Sequence, residues 1–85
     1  MKIFVNLNQT QNSDGWTASI ARSYASKGAK SEVAIGESEV YPSKETAWNS
    51  IKKEVQDLDY NKDEIYFNNK KVDGYDTLEG KVDVL

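Results

Sequence analysis

The sequence predicts an α+β domain, an antiparallel β-meander packed on one central helix, in the order β-β-β-α-β with a short C-terminal hairpin or strand. Three observations predict it. Apolar residues alternate with a period of two in Ile3, Val5, Leu7 and again in Trp16, Ala18, Ile20. Ala47, Trp48, Ile51, Val55 and Leu58 recur at helical spacing and form one apolar stripe. The early connections are short, and short connections join neighbouring strands.

Taken in order, the first strand alternates Ile3, Val5 and Leu7 with Phe4, Asn6 and Asn8. The polar run from Gln9 to Gly15 contains Asn12, Ser13 and Asp14 and reads as a hairpin loop. Trp16, Ala18 and Ile20 then start an antiparallel second strand that extends through Arg22 towards Tyr24. Residues 25–31 form the next turn, with Gly28 as its positive-φ residue. Val33 and Ile35 mark a third strand, and Gly36 a bulge or bend before Val40 and Tyr41. Pro42 ends the extended run and Ser43 suits the N-cap of the helix. Ile65, Tyr66 and Phe67 give a fourth strand. Asn68-Asn69 suits a tight primed turn into Lys70-Lys71-Val72. Asp73-Gly74 signals another turn, and Val82 and Val84 suggest a short last strand.

Composition narrows the chemistry. Eighty-five residues make a single domain, 1–85. With no cysteine and no histidine, disulfides, zinc held by thiolate or imidazole, and Ser–His or Cys–His nucleophiles are all removed. Only carboxylate, lysine or tyrosine chemistry remains, and no cofactor is expected. The five glycines are scattered one per turn and build no phosphate-cradling loop. The opening Met1-Lys2-Ile3-Phe4-Val5-Asn6-Leu7-Asn8 is too short an apolar run for a signal peptide. No stretch approaches the ~20 apolar residues of a membrane span. A cytoplasmic location is the expectation.

The net charge of −3 is unevenly placed. Residues 1–31 hold Asp14 against Lys2, Arg22, Lys27 and Lys30, which is +3; residues 32–85 hold thirteen acids against seven lysines, which is −6. Such a gradient steers charged partners.

Two surfaces follow. The acidic half carries Glu37, Glu39, Asp57, Asp59 and Asp63 with Tyr60 and Tyr66 among them, and acids beside aromatic anchors suit a basic protein partner. The loop over residues 22–30 carries Arg22, Tyr24, Lys27 and Lys30, cations around a ring, which suits a phosphate backbone with a stacked base. Asp59-x-Asn61-x-Asp63 opens like a calcium loop. That loop needs glycine at its sixth position and glutamate at its twelfth, where this chain has Glu64 and Lys70. It reads as a polar helix-to-strand loop, and no metal or catalytic set is assigned.

Asp14-Gly15-Trp16-Thr17-Ala18-Ser19-Ile20 resembles the second strand of the HicB-type antitoxin domain, where an aspartate-glycine turn precedes an aromatic and an alternating strand. Ser43-Lys44-Glu45-Thr46-Ala47-Trp48 is similar to that family's helix start, and the resemblance covers residues 1–58 in the order and spacing of elements. It implies a degenerate ribonuclease H-like fold and an antitoxin role. The chain departs from the family at Ala21-Arg22-Ser23-Tyr24, where a proline-glycine bend is usual. Asn6 and Asn8 stand in the first strand, where an active nuclease of that type carries a metal-binding aspartate, and an amide holds Mg²⁺ poorly.

The function expected is a small non-enzymatic protein-interaction module, an inhibitor or antitoxin-like protein of phage or mobile-element type. It would act as a monomer or homodimer and bind a basic partner through its acidic face. The alternative is a small nucleic-acid-binding domain using the 22–30 loop. A carboxylate-based metal-dependent hydrolase is a third reading.

Overall fold

A computed structural model describes the backbone of residues 1–12, 14–26, 29–35 and 40–85, and the side chains of 1–12, 14–22 and 40–85. Strand β1 (Lys2–Gln9) places Ile3, Val5 and Leu7 on one face, at most 2% exposed, and leaves Phe4 and Asn6 half-buried on the other. Strand β2 (Trp16–Ser26) pairs with it antiparallel, setting Ala18 against Leu7 and Ile20 against Val5. Strand β3 (Ala29–Ile35) pairs antiparallel with β2 from Ile20↔Ile35 to Ser26↔Ala29. Gly28 and Gly36, read above as turn and bulge, lie outside the described residues.

Helix α1 (Lys44–Gln56) begins where Ser43, extended at φ −146°, accepts a 3.2 Å hydrogen bond from the Thr46 amide. Its buried stripe is Ala47, Trp48, Ile51 and Val55. That stripe covers the apolar face of β1 and β2, and Leu58 packs on it from beyond the helix. Strand β4 (Glu64–Phe67) follows, then β5 (Lys70–Val72) and helix α2 (Tyr75–Asp83). The sheet has five strands in the order β3-β2-β1-β4-β5.

Two expectations are corrected. The sheet is mixed, because β4 pairs parallel to β1, Ile3 with Ile65 and Val5 with Phe67. β3 runs in the same sense as β1, since β2 is antiparallel to both. Helix α1 carries the chain across β2 and β1, and a helical crossover returns it parallel. The last strand expected at Val82 and Val84 is absent, and α2 makes a second helix there. Leu78 and Val82, four apart, are buried together on one helix face, while Val84 is 83% exposed. The apolar residues of β1, β2, α1, β4, β5 and α2 join one core cluster.

Backbone contacts fix the ends. Trp16 and Tyr41 exchange amide-to-carbonyl bonds of 2.8 and 2.7 Å, which ties the start of β2 to the segment before α1. Gly15 makes that approach possible: a Cβ there would stand 2.9 Å from the Tyr41 carbonyl oxygen and 2.5 Å from Val40 Cγ1. Asn68 and Asn69 have φ of 47° and 71°, the positive values that a type I′ turn between β4 and β5 requires.

The helices lie on one side of the sheet. On the other side the register lines up Ala21, Phe4, Tyr66 and Lys71 in one row across four strands. Glu32, Ser23, Lys2 and Glu64 hold the register positions of the next row, and Asn6 with Ser19 and Asn8 with Thr17 continue the face the other way.

Candidate functional site

A group of aromatic and ionisable side chains gathers where α1 meets α2. Trp48, on the buried stripe of α1, stacks on Tyr75 at the start of α2, with ring centroids 6.4 Å apart and planes inclined by 18°. The Tyr75 hydroxyl joins the two helices. It accepts from Gln56 Nε2 at 3.4 Å and donates to Glu79 Oε2 at 3.0 Å. Glu79 lies one turn along α2, where i and i+4 side chains meet. Burial raises the Tyr75 pKa foremost; the Gln56 bond opposes this, while the Glu79 bond and the charges of Glu79 and Asp76 add to it.

Tyr60 reaches the same seam from the loop after α1. Its hydroxyl donates 2.8 Å to the Val55 carbonyl at the helix end. Burial, and then the neighbouring Tyr75, pushes its pKa up to about 12. The Tyr75 ring thus stands by the carboxylates of Glu79 and Asp76, with Trp48 stacked on it and Tyr60 as its neighbour. Among the described residues the only ion pair joins the Met1 ammonium to Asp63 at 3.7 Å, so Asp57, Asp76 and Glu79 have no ionic partner there. Carboxylates beside aromatic faces suit lysine and, better, arginine, whose planar guanidinium stacks as well as pairs.

The residues expected in the acidic face are spread over three places. Asp57 is the exposed C-cap of α1, next to Gln56 in sequence. Asp59 is engaged in its own loop, its Oδ1 accepting from the amides of Asn61 and Lys62, both at 3.0 Å. Asp63 faces the chain's amino group. Tyr60 is in the seam. Tyr66 is on the opposite side of the molecule, stacked on Phe4 with centroids 5.4 Å apart and bonded through its hydroxyl to Glu64 at 3.2 Å. Glu37 and Glu39 lie outside the described residues.

Of the basic set, Arg22 is half-buried and pairs with Ile3, on the helix side of the sheet. Tyr24 and Lys30 lie on β2 and β3, whose backbones pair there, and Lys27 is outside the described residues. Among the described residues no three acidic side chains gather where they would hold a metal ion.

Tyr75 lies, like Tyr60 and Tyr66, in the acidic half that the sequence marks for a protein partner, while Asp76 and Glu79 are residues that the sequence reading left out of the site. Their signal is the spacing Tyr75, Leu78, Glu79, Val82, a ring and a carboxylate four apart beside two apolar residues four apart. Compared with protein-family models, with curated proteins and with solved structures, the chain matches none.

Proposed function

We propose that this chain is a small non-enzymatic interaction module that binds a basic partner protein through the α1–α2 seam. One observation carries the reading: Glu79 and Asp76 stand by the Tyr75 ring, with Tyr60 beside it, and neither acid has an ionic partner among the described residues. A potential of this sign draws a basic partner in, and the half-buried Tyr60 and Tyr75 rings supply the contact area that anchors it. An acidic surface of this kind blocks a nucleic-acid-binding channel by occupying its cations. With the resemblance of residues 1–58 to the HicB-type domain, that favours an inhibitor or antitoxin-like role of the phage or mobile-element kind. A cytoplasmic location goes with such a target, and no helix among the described residues is long and apolar enough to cross a membrane.

Affinity capture tests the reading. Immobilised wild-type chain should retain a basic protein from a lysate of its own source, and Asp57→Lys/Asp76→Lys should release it. Both positions are exposed, so the fold tolerates the change. Equal retention by the double variant would remove the acidic seam from the reading.

The nucleic-acid alternative draws on a separate observation. β2 pairs with β1 only as far as Ser23, while β2 and β3 continue together through Tyr24↔Ser31, Ala25↔Lys30 and Ser26↔Ala29. A two-stranded ribbon thus runs past the sheet, in a stretch whose sequence from 22 to 30 has three cations and no acid. A β-ribbon fits a major groove. A gel shift with duplex DNA at low salt should show retardation that fades steeply as salt rises, and no retardation would end this alternative.

A further inference from the structure

We infer that the sheet face opposite the helices is a stacking platform for single-stranded nucleic acid, centred on Phe4 and Tyr66. This inference is independent of the acidic seam, which lies on the other side of the sheet. Phe4 and Tyr66 sit on adjacent strands in the middle of the sheet, parallel-paired and stacked at 5.4 Å with planes 23° apart. Neither faces the helices, because Ile3, Val5, Ile65 and Phe67 on the same strands fill the core side.

The neighbours of the two rings suit a base and its phosphate. Ala21 and Ser19, the register partners of Phe4 and Asn6, are small. Asn6 continues the row from Phe4 along the same strand face, offering an amide that donates and accepts at a base edge. Lys71 stands opposite Tyr66, and Lys2 one row from Phe4, which puts a cation on each flank of the rings. Glu64 on this face accepts the Tyr66 hydroxyl bond at 3.2 Å. In a protein of net charge −3, the register puts Lys2, Lys71 and, on the ribbon, Lys30 on this face against Glu64 and Glu32, three lysines to two acids. The occupant that matches them has flat apolar rings and a negative backbone, the chemistry shared by single-stranded RNA and DNA.

Fluorescence anisotropy with labelled oligouridine, oligothymidine and a hairpin duplex, at low salt, tests the inference. Both single strands should bind and the duplex more weakly. Tighter binding of oligouridine would identify RNA as the source through its 2′-hydroxyl. Phe4→Leu should weaken binding about tenfold, the loss of one stacked base. Tyr66→Phe, which keeps the ring, should bind as the wild type does. Lys71→Ala should lower the slope of log affinity against log salt by about 0.7. Thermal denaturation of Phe4→Leu should show a folded chain; if it does not, Lys71→Ala and Tyr66→Phe carry the test. Absence of single-strand binding overturns the inference. So do a preference for the duplex, affinity unchanged in Phe4→Leu, and capture of a protein by this face without nucleic-acid binding.

Discussion

The side chain of Asn68 stands in for a strand beside Leu7, its Oδ1 accepting from the Leu7 amide at 3.0 Å and its Nδ2 donating to the Leu7 carbonyl at 3.1 Å. β4 ends at Phe67, and the chain turns away at Asn68 with φ of 47°. The Asn68 amide still reaches the Val5 carbonyl at 2.9 Å. One residue therefore closes the parallel ladder, satisfies both backbone groups of Leu7 and starts the hairpin.

Two substitutions separate those roles. Asn68→Gly keeps the positive φ and loses only the two side-chain bonds, at a cost of about 1–2 kcal/mol. Asn68→Ala also places a Cβ in the left-handed region, for a total of about 3 kcal/mol. Urea denaturation of both variants checks the order, and equal costs would show that the conformation contributes nothing.

Gly15 is held by proximity. The Tyr41 carbonyl oxygen and Val40 Cγ1 occupy the space that a Cβ would need, and the Trp16–Tyr41 bridge keeps them there. Gly15→Ala should cost about 1–3 kcal/mol by pushing the two segments apart. The urea midpoint reads the loss.

Gly80 is the opposite case. It lies inside α2 with nothing within 4 Å of a would-be Cβ. Gly80→Ala should stabilise the chain by about 0.5–1 kcal/mol through helix propensity and a less mobile unfolded state. A rise in the thermal midpoint checks it, and a fall would argue against a helix at this position.

Tyr60 and Tyr75 both hold their protons above the usual tyrosine value, and substitution separates the contribution of Tyr60. Its folded-state pKa of about 12 stands above the usual tyrosine value of 10.0. The folded chain thus holds this proton more tightly than the unfolded one, so stability is intact below pH 10 and falls as pH rises towards 12. Tyr60→Phe should be less stable by about 1 kcal/mol near neutrality, having lost the bond to the Val55 carbonyl. It should also lose stability less steeply in that alkaline window. Parallel denaturation curves across the window in both proteins would contradict the assignment.

Much of this architecture is legible in residue order, and what is not has a physical reason. Ser43 after Pro42, and the Ala47, Trp48, Ile51, Val55 stripe, announce α1 because cap and period agree. Asn68-Asn69 announces its turn because few residues accept two positive φ angles. The direction of β4 is hidden, since a four-residue strand has the same alternation in parallel and antiparallel pairing. Only the length of the connection through α1 hints at it. Helix α2 is hidden by Gly74 and Gly80 and by Val82 and Val84, whose brief alternation imitates a strand. With α2 unread, Tyr75 and Glu79 have no partner in sequence, and the seam they form with Trp48 and Gln56 emerges only once the chain is folded. The same reason separates Tyr66 from Tyr60: six positions apart, they end on opposite sides of the sheet.

The most direct measurement is a nitrogen–proton correlation spectrum of the chain titrated with a short oligoarginine peptide at low salt. The proposed seam predicts shifts confined to Gln56, Asp57, Tyr75, Asp76, Glu79 and the Trp48 indole N–H, and their loss in Asp57→Lys/Asp76→Lys. Shifts centred on Asp59, Asp63 or Asp83, or an unchanged spectrum, would contradict it.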